Sequence, residues 1–384
     1  MQVIVLLFIL LFEAVLPFSG AIAATLKDSL STSLNVYTDN ADITVVNPNV
    51  SVFKTLSTHF MIGVKGAIDA VSAASIRTGG KPFVTDAVTG ASKKAGGFDD
   101  IRYSPTLMGI YDDGDNDALT FGGYYSTEND YVGKALFFNY VRQLNRQNTA
   151  IGVGASQSFD RWDPMIDRAL PTDERKERRI DLSVSQLITP TLTFQLIYTA
   201  LFSEGFLASP YHFLEQESFA VFERLPDARS GNAFALKMVK LLNELTSMNL
   251  AYRYYTDDWG IRSHTTNVEL YRDLTERFTL GTRYRYYIQN NAEFVKPPGA
   301  TTPQDPFIAV DYRYTAFNAN TVGLGFIYRP GPVRALAKLI DLDKMKFKAS
   351  ADYYWTSKND AIKAWYDQDR LRATFITVSL DYEF

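Results

Sequence analysis

The sequence predicts an all-β protein: a transmembrane antiparallel β-barrel of about 16 strands, or about 14 if one hairpin is false, with short turns at one rim and long loops at the other. Three observations predict it. The stretch 371–384 alternates with period two up to its last residue: Ile376, Val378, Leu380, Tyr382 and Phe384 are apolar, and Thr377, Ser379, Asp381 and Glu383 between them are polar. Aromatic residues make up 14%, with 23 Tyr and 26 Phe, yet the mean hydropathy is only −0.13. That balance is expected when lipid-facing and lumen-facing residues alternate and aromatics form interfacial girdles. Short and long connections also alternate along the chain, which a soluble sandwich has no reason to do.

An apolar run at 3–12, followed by Ala21, Ala23 and Ala24, reads as a signal peptide over 1–24, although no basic residue precedes the run and Glu13 interrupts its tail. Residues 25–384 then form a single barrel domain. No later stretch approaches the ~18 unbroken apolar residues that a membrane-spanning helix needs. The absence of Cys excludes disulfides, thiolate catalysis and Cys-based metal sites. A net charge of −4 argues against nucleic acid as a partner.

In chain order, strands are predicted at 30–38, 43–54, 60–69, 101–111, 118–126, 131–143, 150–158, 178–187, 192–202, 233–242, 248–256, 261–272, 278–289, 321–329, 344–355 and 371–384. Each rests on apolar residues two apart. In 192–202, Leu192, Phe194, Leu196, Tyr198, Ala200 and Phe202 oppose Thr193, Gln195 and Thr199. In 344–355, Met345, Phe347, Ala349, Ala351, Tyr353 and Trp355 oppose Lys344, Lys346, Lys348, Ser350 and Asp352. A lysine facing lipid at mid-bilayer costs ~2–4 kcal/mol, so these three lysines belong to the lumen or the interface. The stretch 233–242 is less regular, with Lys237 and Lys240 on opposite faces.

Tight turns are expected near 56–59, 112–117, 144–149, 187–191, 242–246 and 274–277. Long connections fall at 70–100, 160–176, 203–229, 290–316 and 357–369. Within 333–342, Val333, Leu336, Ala337 and Ile340 have helical spacing and suggest a short amphipathic helix at the turn rim. The terminal Phe384, with Tyr382 two before it, resembles the assembly signal of outer-membrane barrels in Gram-negative bacteria. That address makes membrane lipid and the barrel assembly machinery the expected partners. Strand 371–384 should close against 30–38, with Thr377, Ser379 and Asp381 facing inward beside Lys344, Lys346 and Lys348.

Two constellations bear on function. The motif D-A-V-[ST]-[AG]-A-S occurs at 69–75 and again at 86–92, placing Ser72, Asp86 and Thr89 in the connection 70–100 and Asp69 at its edge, where strand 60–69 ends. The expectation is a loop folded inward as a plug; the alternative is a ligand or cation site built from the two aspartates. The second constellation is a tyrosine–arginine ladder, Y-R-Y-Y at 252–255 and R-Y-R-Y-Y at 283–287, echoed by Y-R-Y at 312–314. Alternation sends Tyr252, Tyr254, Tyr284 and Tyr286 outward and Arg253, Arg283 and Arg285 inward, with Asn267 and Glu269 facing in from the strand between. Such a wall braces a barrel, sets anion preference in a pore, or does both.

His59, His212 and His264 are scattered, and no H-E-x-x-H or G-x-S-x-G motif occurs, so no enzyme and no cofactor is expected. The acidic run 112–117 fits a hairpin turn better than a calcium loop, because its Gly is misplaced and the closing Glu is absent. Acidic residues such as Asp99, Asp130, Asp160 and Asp257 gather toward the loop rim; solvation explains them, and bridging by divalent cations is the alternative.

The two D-A-V repeats, the S-T-E-N-D-Y stretch at 126–131, F-E-R-L-P-D-A-R at 222–229, Y-R-Y-Y-T-D-D-W-G-I-R-S-H-T at 252–265 and R-Y-R-Y-Y-I-Q-N at 283–290 resemble a family of bacterial outer-membrane barrels catalogued as domain of unknown function 3570. The resemblance covers nearly the whole mature chain. It implies a barrel and brings no catalytic residues. The function expected is an outer-membrane pore or transport-associated channel for a small polar or ionic solute. The alternative is a non-conducting scaffold that holds a periplasmic or secreted partner, such as a redox component.

Overall fold

The computed structural model describes residues 26–41, 43–74, 97–163, 173–209, 212–216, 219–297, 299–331, 341–366 and 368–384. Sixteen strands close into one antiparallel barrel. They are β1 (Ser29–Asp39), β2 (Ile43–Ser57), β3 (Phe60–Ala74), β4 (Gly97–Asp112), β5 (Asp117–Thr127), β6 (Tyr131–Leu144), β7 (Thr149–Trp162), β8 (Asp173–Thr189) and β9 (Leu192–Gly205), followed by β12 (Ala228–Asn243), β13 (Thr246–Asp257), β14 (Arg262–Thr275), β15 (Phe278–Gln289), β16 (Phe317–Tyr328), β17 (Met345–Thr356) and β18 (Arg372–Glu383). Within the β9–β12 connection, β10 (Phe213–Gln216) and β11 (Phe219–Phe222) pair as a separate hairpin. Each barrel strand pairs with its sequence neighbour in the barrel, and β18 closes on β1, with Leu30 opposite Tyr382 and Val36 opposite Ile376.

The alternation read from the sequence sets the two faces. Val64, Leu107, Leu136, Leu196, Leu324 and Val378 are each more than half exposed on the outer surface. Side chains one residue away, such as Asn47, Asp181, Gln195 and Asp352, are buried on the inner side. An apolar band of that extent is unfavourable in water and suited to lipid, so the fold is a transmembrane barrel. Lys240, on the outer face of β12, lies near the short-turn end and donates to the Thr191 hydroxyl at 3.0 Å.

Several strands run further toward the long loops than their hydropathy indicates. β8 begins at Asp173 and β12 at Ala228, because pairing with β7 and β9 continues beyond the apolar belt. β3 continues to Ala74, so Ser72 is a strand residue rather than a loop residue, and Asp69 lies within the strand rather than at its end: in register, Asp69 is opposite Arg102 and Ser72 opposite Asp99. The turn at 113–116 is the hairpin expected: Asp113 Oδ1 accepts from the backbone N–H groups of Asp115, Asn116 and Asp117 at 2.9 Å each, and Gly114 adopts φ +79°.

Candidate functional site: the inner wall and its mouth

The inner wall is built in rows, each set by the register of neighbouring strands. One row runs Asn249, Glu269, Arg283, Gly323, Asp352 across β13 to β17. Glu269 accepts from Asn249 at 3.3 Å, Asn267 at 3.0 Å and the Tyr271 hydroxyl at 3.1 Å, so its oxygens are held by neutral donors. Arg283 instead reaches over β16 to Asp352, with Nε donating to Oδ1 at 3.1 Å and a second contact to Oδ2. Gly323 makes this possible, because a Cβ there would lie 1.8 Å from Asp352 Oδ1. Gly281 does the same for Tyr271, whose ring would be 2.9 Å from an added Cβ.

Arg285 occupies the next row, between Asn267 and Thr321. It faces the lumen with no ion-pair partner among the described residues. Arg253 lies with its guanidinium 5.3 Å from the Tyr255 ring centroid. Between β17 and β18, Lys348 pairs with Asp381 at 2.6 Å, and Lys346 stands opposite Asp381 in register. Elsewhere the wall is also paired: Arg175 binds Asp160 at 2.6 Å, and Arg179 binds Asp181, which also accepts from Thr199.

Other predicted positions are placed differently. Lys344 is not a lumen residue: it ends a 3-10 turn, Leu342–Lys344, whose cap Asp341 accepts from Asp343 N at 3.3 Å. The cap turns the chain just before β17 and leaves Lys344 exposed at the turn rim. Asp69 is occupied within the wall, accepting from Asn47 Nδ2 at 2.5 Å. Asp86 and Thr89, like the helix expected within 333–342 over its 333–340 part, lie outside the described residues. Tyr312 to Tyr314 is not part of the strand ladder but a 3-10 turn in a loop. Of the loop-rim acids, Asp160 and Asp257 hold Arg175 and Arg229; among the described residues no group of three His, Asp or Glu is arranged to hold a metal.

At the long-loop rim, connection 290–316 turns over the mouth. Tyr312 packs with Phe317, Ala319, Ile362 and Leu371, and this cluster rests on Tyr287 and Tyr354, which share the inner face with Arg285 and Asp352. Gln289 fastens the loop by donating to the carbonyls of Arg313 and Thr315 at 2.7 Å each. Ile362 belongs to a short helix, Asp360–Tyr366, started by Asn359, whose side chain accepts from Ala361 N at 2.8 Å. Connection 206–227 joins this cap through reciprocal backbone bonds between Arg224 and Ile308 at 3.0 and 2.7 Å.

Beneath them lies a second apolar cluster of Trp259, Ile261, Ala292 and Tyr314. Arg229 stacks 4.6 Å from the Trp259 ring while holding Asp257. Glu223 is buried where the two loops meet. Its carboxylate contacts His212 Nδ1 at 3.1 Å and accepts from Ser209 N at 3.2 Å and Val310 N at 3.0 Å. Burial alone would raise its pKa; His212 and the backbone donors outweigh that and hold it below the ordinary Glu range.

Loop 70–100, which the sequence marks as the inward-folded one, lies outside the described residues over 75–96; the connection seen against the inner wall is 290–316. Its anchors are aromatic residues separated by coil, with no periodicity to mark them. The Asn359 cap followed by Ala361 and Ile362 was a readable helix-start signal.

No curated protein is similar enough in sequence to be counted a relative. Among solved structures, the chain is similar to a bacterial polysaccharide outer membrane secretin, at 9% identity over 94% of this chain and 99% of that one, with a TM-score of 0.50. It also aligns with a loop-deleted OmpT of Vibrio cholerae, at 8% identity over 93% of this chain and 98% of that one, TM-score 0.47. A third alignment is with the toluene transporter TodX of P. putida, at 10% identity over 93% and 90% of the two chains, TM-score 0.43. At such identities the secretin likeness is one of fold, an outer-membrane barrel. A family model described as protein of unknown function (DUF3570) matches residues 9–372, nearly the whole chain, and the protein belongs to that family.

Proposed function

We propose that this barrel is an outer-membrane pore or transport channel of a Gram-negative bacterium, passing a small anionic or polar solute. The short-turn rim then faces the periplasm, and the loop rim faces outward. The observation that carries the reading is Arg285, a lumen-facing cation without an ion-pair partner among the described residues, whereas Arg175, Arg179, Arg283 and Lys348 on the same wall are each paired with a carboxylate. A barrel of sixteen strands has an interior wider than its wall side chains fill, and an uncompensated guanidinium there favours anions over cations. The cap of loops 206–227 and 290–316 supports a mouth that restricts entry.

The test is single-channel recording of the purified full-length barrel in planar bilayers. Reproducible conductance steps with anion preference are expected. Silence from correctly folded protein, with and without loosening of the cap by Ile362→Ala, would overturn the pore reading. The packed cap also suits the scaffold alternative, and that silence would favour a scaffold for a periplasmic or secreted partner.

A further inference from the structure

The outer face of β6 to β9 carries charges that the lumen does not use. Strand alternation points Lys134, Arg161, Lys176 and Arg178 outward, on the same side as Leu136, Ile151, Ile180 and Leu182, and all four cations are exposed. Register brings them together: Lys134 lies opposite Phe159, and Phe159 opposite Lys176. One step nearer the belt, Gln157 lies opposite Arg178 and accepts from its Nε at 2.9 Å. Two carboxylates share this surface. Glu204 pairs with Arg178 at 3.1 Å and stands opposite Lys176 in register, and Glu174 stands opposite Arg161. Lys134 and Lys176 have no ion pair among the described residues. Among the described residues, Arg262 on β14 and Arg372 on β18 are outward cations that stand singly at the loop-rim ends of their strands.

Directly below, toward mid-membrane, the outer surface of β7, β8, β9, β12 and β13 is hollowed into an apolar groove of about 520 Å³. Its floor and sides include Val153, Leu182, Val184, Leu196, Phe234 and Leu236. Leu182 follows Arg178 by four residues, about 13 Å along the strand at ~3.3 Å per residue. The cations therefore stand at headgroup height above a groove at acyl-chain depth. Cations cannot face the hydrocarbon without cost, and an excess of them at the interface attracts lipid phosphate.

We propose that this face is a specific site for a phosphate-bearing, multi-acyl lipid of the leaflet at the loop rim. Lys134 and Lys176 hold the headgroup phosphate, Arg161 and Arg178 flank it, and the acyl chains fill the groove. The assignment of that leaflet as the outer one rests on the orientation given under Proposed function; the binding surface itself does not depend on conduction.

The test is native mass spectrometry of the full-length barrel in detergent, with added lipid A as the probe and its dephosphorylated form as the control. Retention of lipid A and loss of the dephosphorylated form are expected. Lys134→Gln with Lys176→Gln should weaken lipid A retention about thirtyfold, and Val184→Trp, which fills the groove while leaving the cations in place, should weaken it as well. Equal retention of the two forms, or full retention by the double Gln variant, would overturn the proposal. So would a groove covered by a second barrel, detected as a dimer that Val184→Trp dissociates. Conductance of the double Gln variant should match the unmodified barrel, so a failure of the lipid site and a failure of the pore reading give different results.

Discussion

Arg283 and Asp352 form their ion pair across an intervening strand, over the bare backbone of Gly323. The pair thus couples β15 to β17, which share no backbone ladder. Because Arg283 is partly exposed, the pair itself is worth only ~1 kcal/mol. Arg283→Ala should cost more, ~2 kcal/mol, by leaving the largely buried Asp352 carboxylate unpaired. Asp352→Asn in that background should recover part of the loss. Gly323→Ala must displace Asp352 and should abolish the coupling measured by a double-mutant cycle in urea unfolding. A cycle that keeps its coupling energy in Gly323→Ala would show that the pair does not depend on the glycine.

Selectivity should follow Arg285 rather than Arg283. Replacing Arg283 and Asp352 together by Ala removes one charge of each sign and should leave the reversal potential near that of the unmodified pore. Arg285→Ala removes a cation with no such partner and should move the preference toward cations several-fold. Reversal potentials in a salt gradient decide between them; an unshifted Arg285→Ala would make the wall a brace only.

The cap should respond to acid through Glu223. Its pKa is lower in the closed cap than the free value, so the released cap binds the proton more tightly. The stabilisation is therefore fully present above the ordinary Glu value of about 4.3 and is lost as pH falls through the depressed value. Hydrogen exchange at the Val310 and Asp311 amides, which donate to Glu223 at 3.0 and 3.3 Å, reads this stabilisation. Below about pH 4 protection should fall. Glu223→Gln should lose this acid step.

Ile362 is fully buried between the mouth loop and the wall. Ile362→Ala should cost ~2–4 kcal/mol locally and raise exchange at Tyr312 and Leu371 while leaving β-barrel amides protected. Loss of protection throughout the barrel would mean that the cap and wall are a single cooperative unit.

Phe384 stacks on Tyr382 at 5.7 Å and its amide donates to the Asp28 carbonyl at 3.0 Å. Deleting Phe384 should reduce the amount of barrel recovered in the outer-membrane fraction. Molecules that do insert should conduct normally. Normal recovery would remove Phe384 from the assembly signal.

The strands were legible because lipid and lumen impose opposite chemistry on alternate residues, a constraint strong enough to place β17 and β18 in the correct phase from Phe347 and Val378 alone. The lumen positions of Arg253, Glu269, Arg283 and Arg285 followed from the same phase. Partnering was not legible. Nothing local marks Asp352 as the mate of Arg283, because the two meet only through the register of three strands and the lack of a side chain at Gly323. The cap was hidden for a different reason. Tyr312 and Ile362 gain their burial from contacts made across connections, and such contacts leave no period in the chain. Lys344, read as belonging to the lumen or the interface, sits at the turn rim, because the alternation of Lys344, Lys346 and Lys348 begins inside the 3-10 turn that Asp341 caps, one residue before β17.

The seam between β1 and β18 also says how this molecule comes into being. Lys27 and Glu383, in contact at 3.1 Å, are separated by 356 positions, so the final pairing encloses almost all of the chain. Loop closure grows only with the logarithm of length, and this step costs ~3 kcal/mol more than joining a ten-residue hairpin. The register from Ser29 to Asp39 repays that easily. The difficulty is therefore one of time: until the last strand arrives, β1 and its growing sheet keep an open edge, and protection of that edge falls to whatever meets the chain before closure.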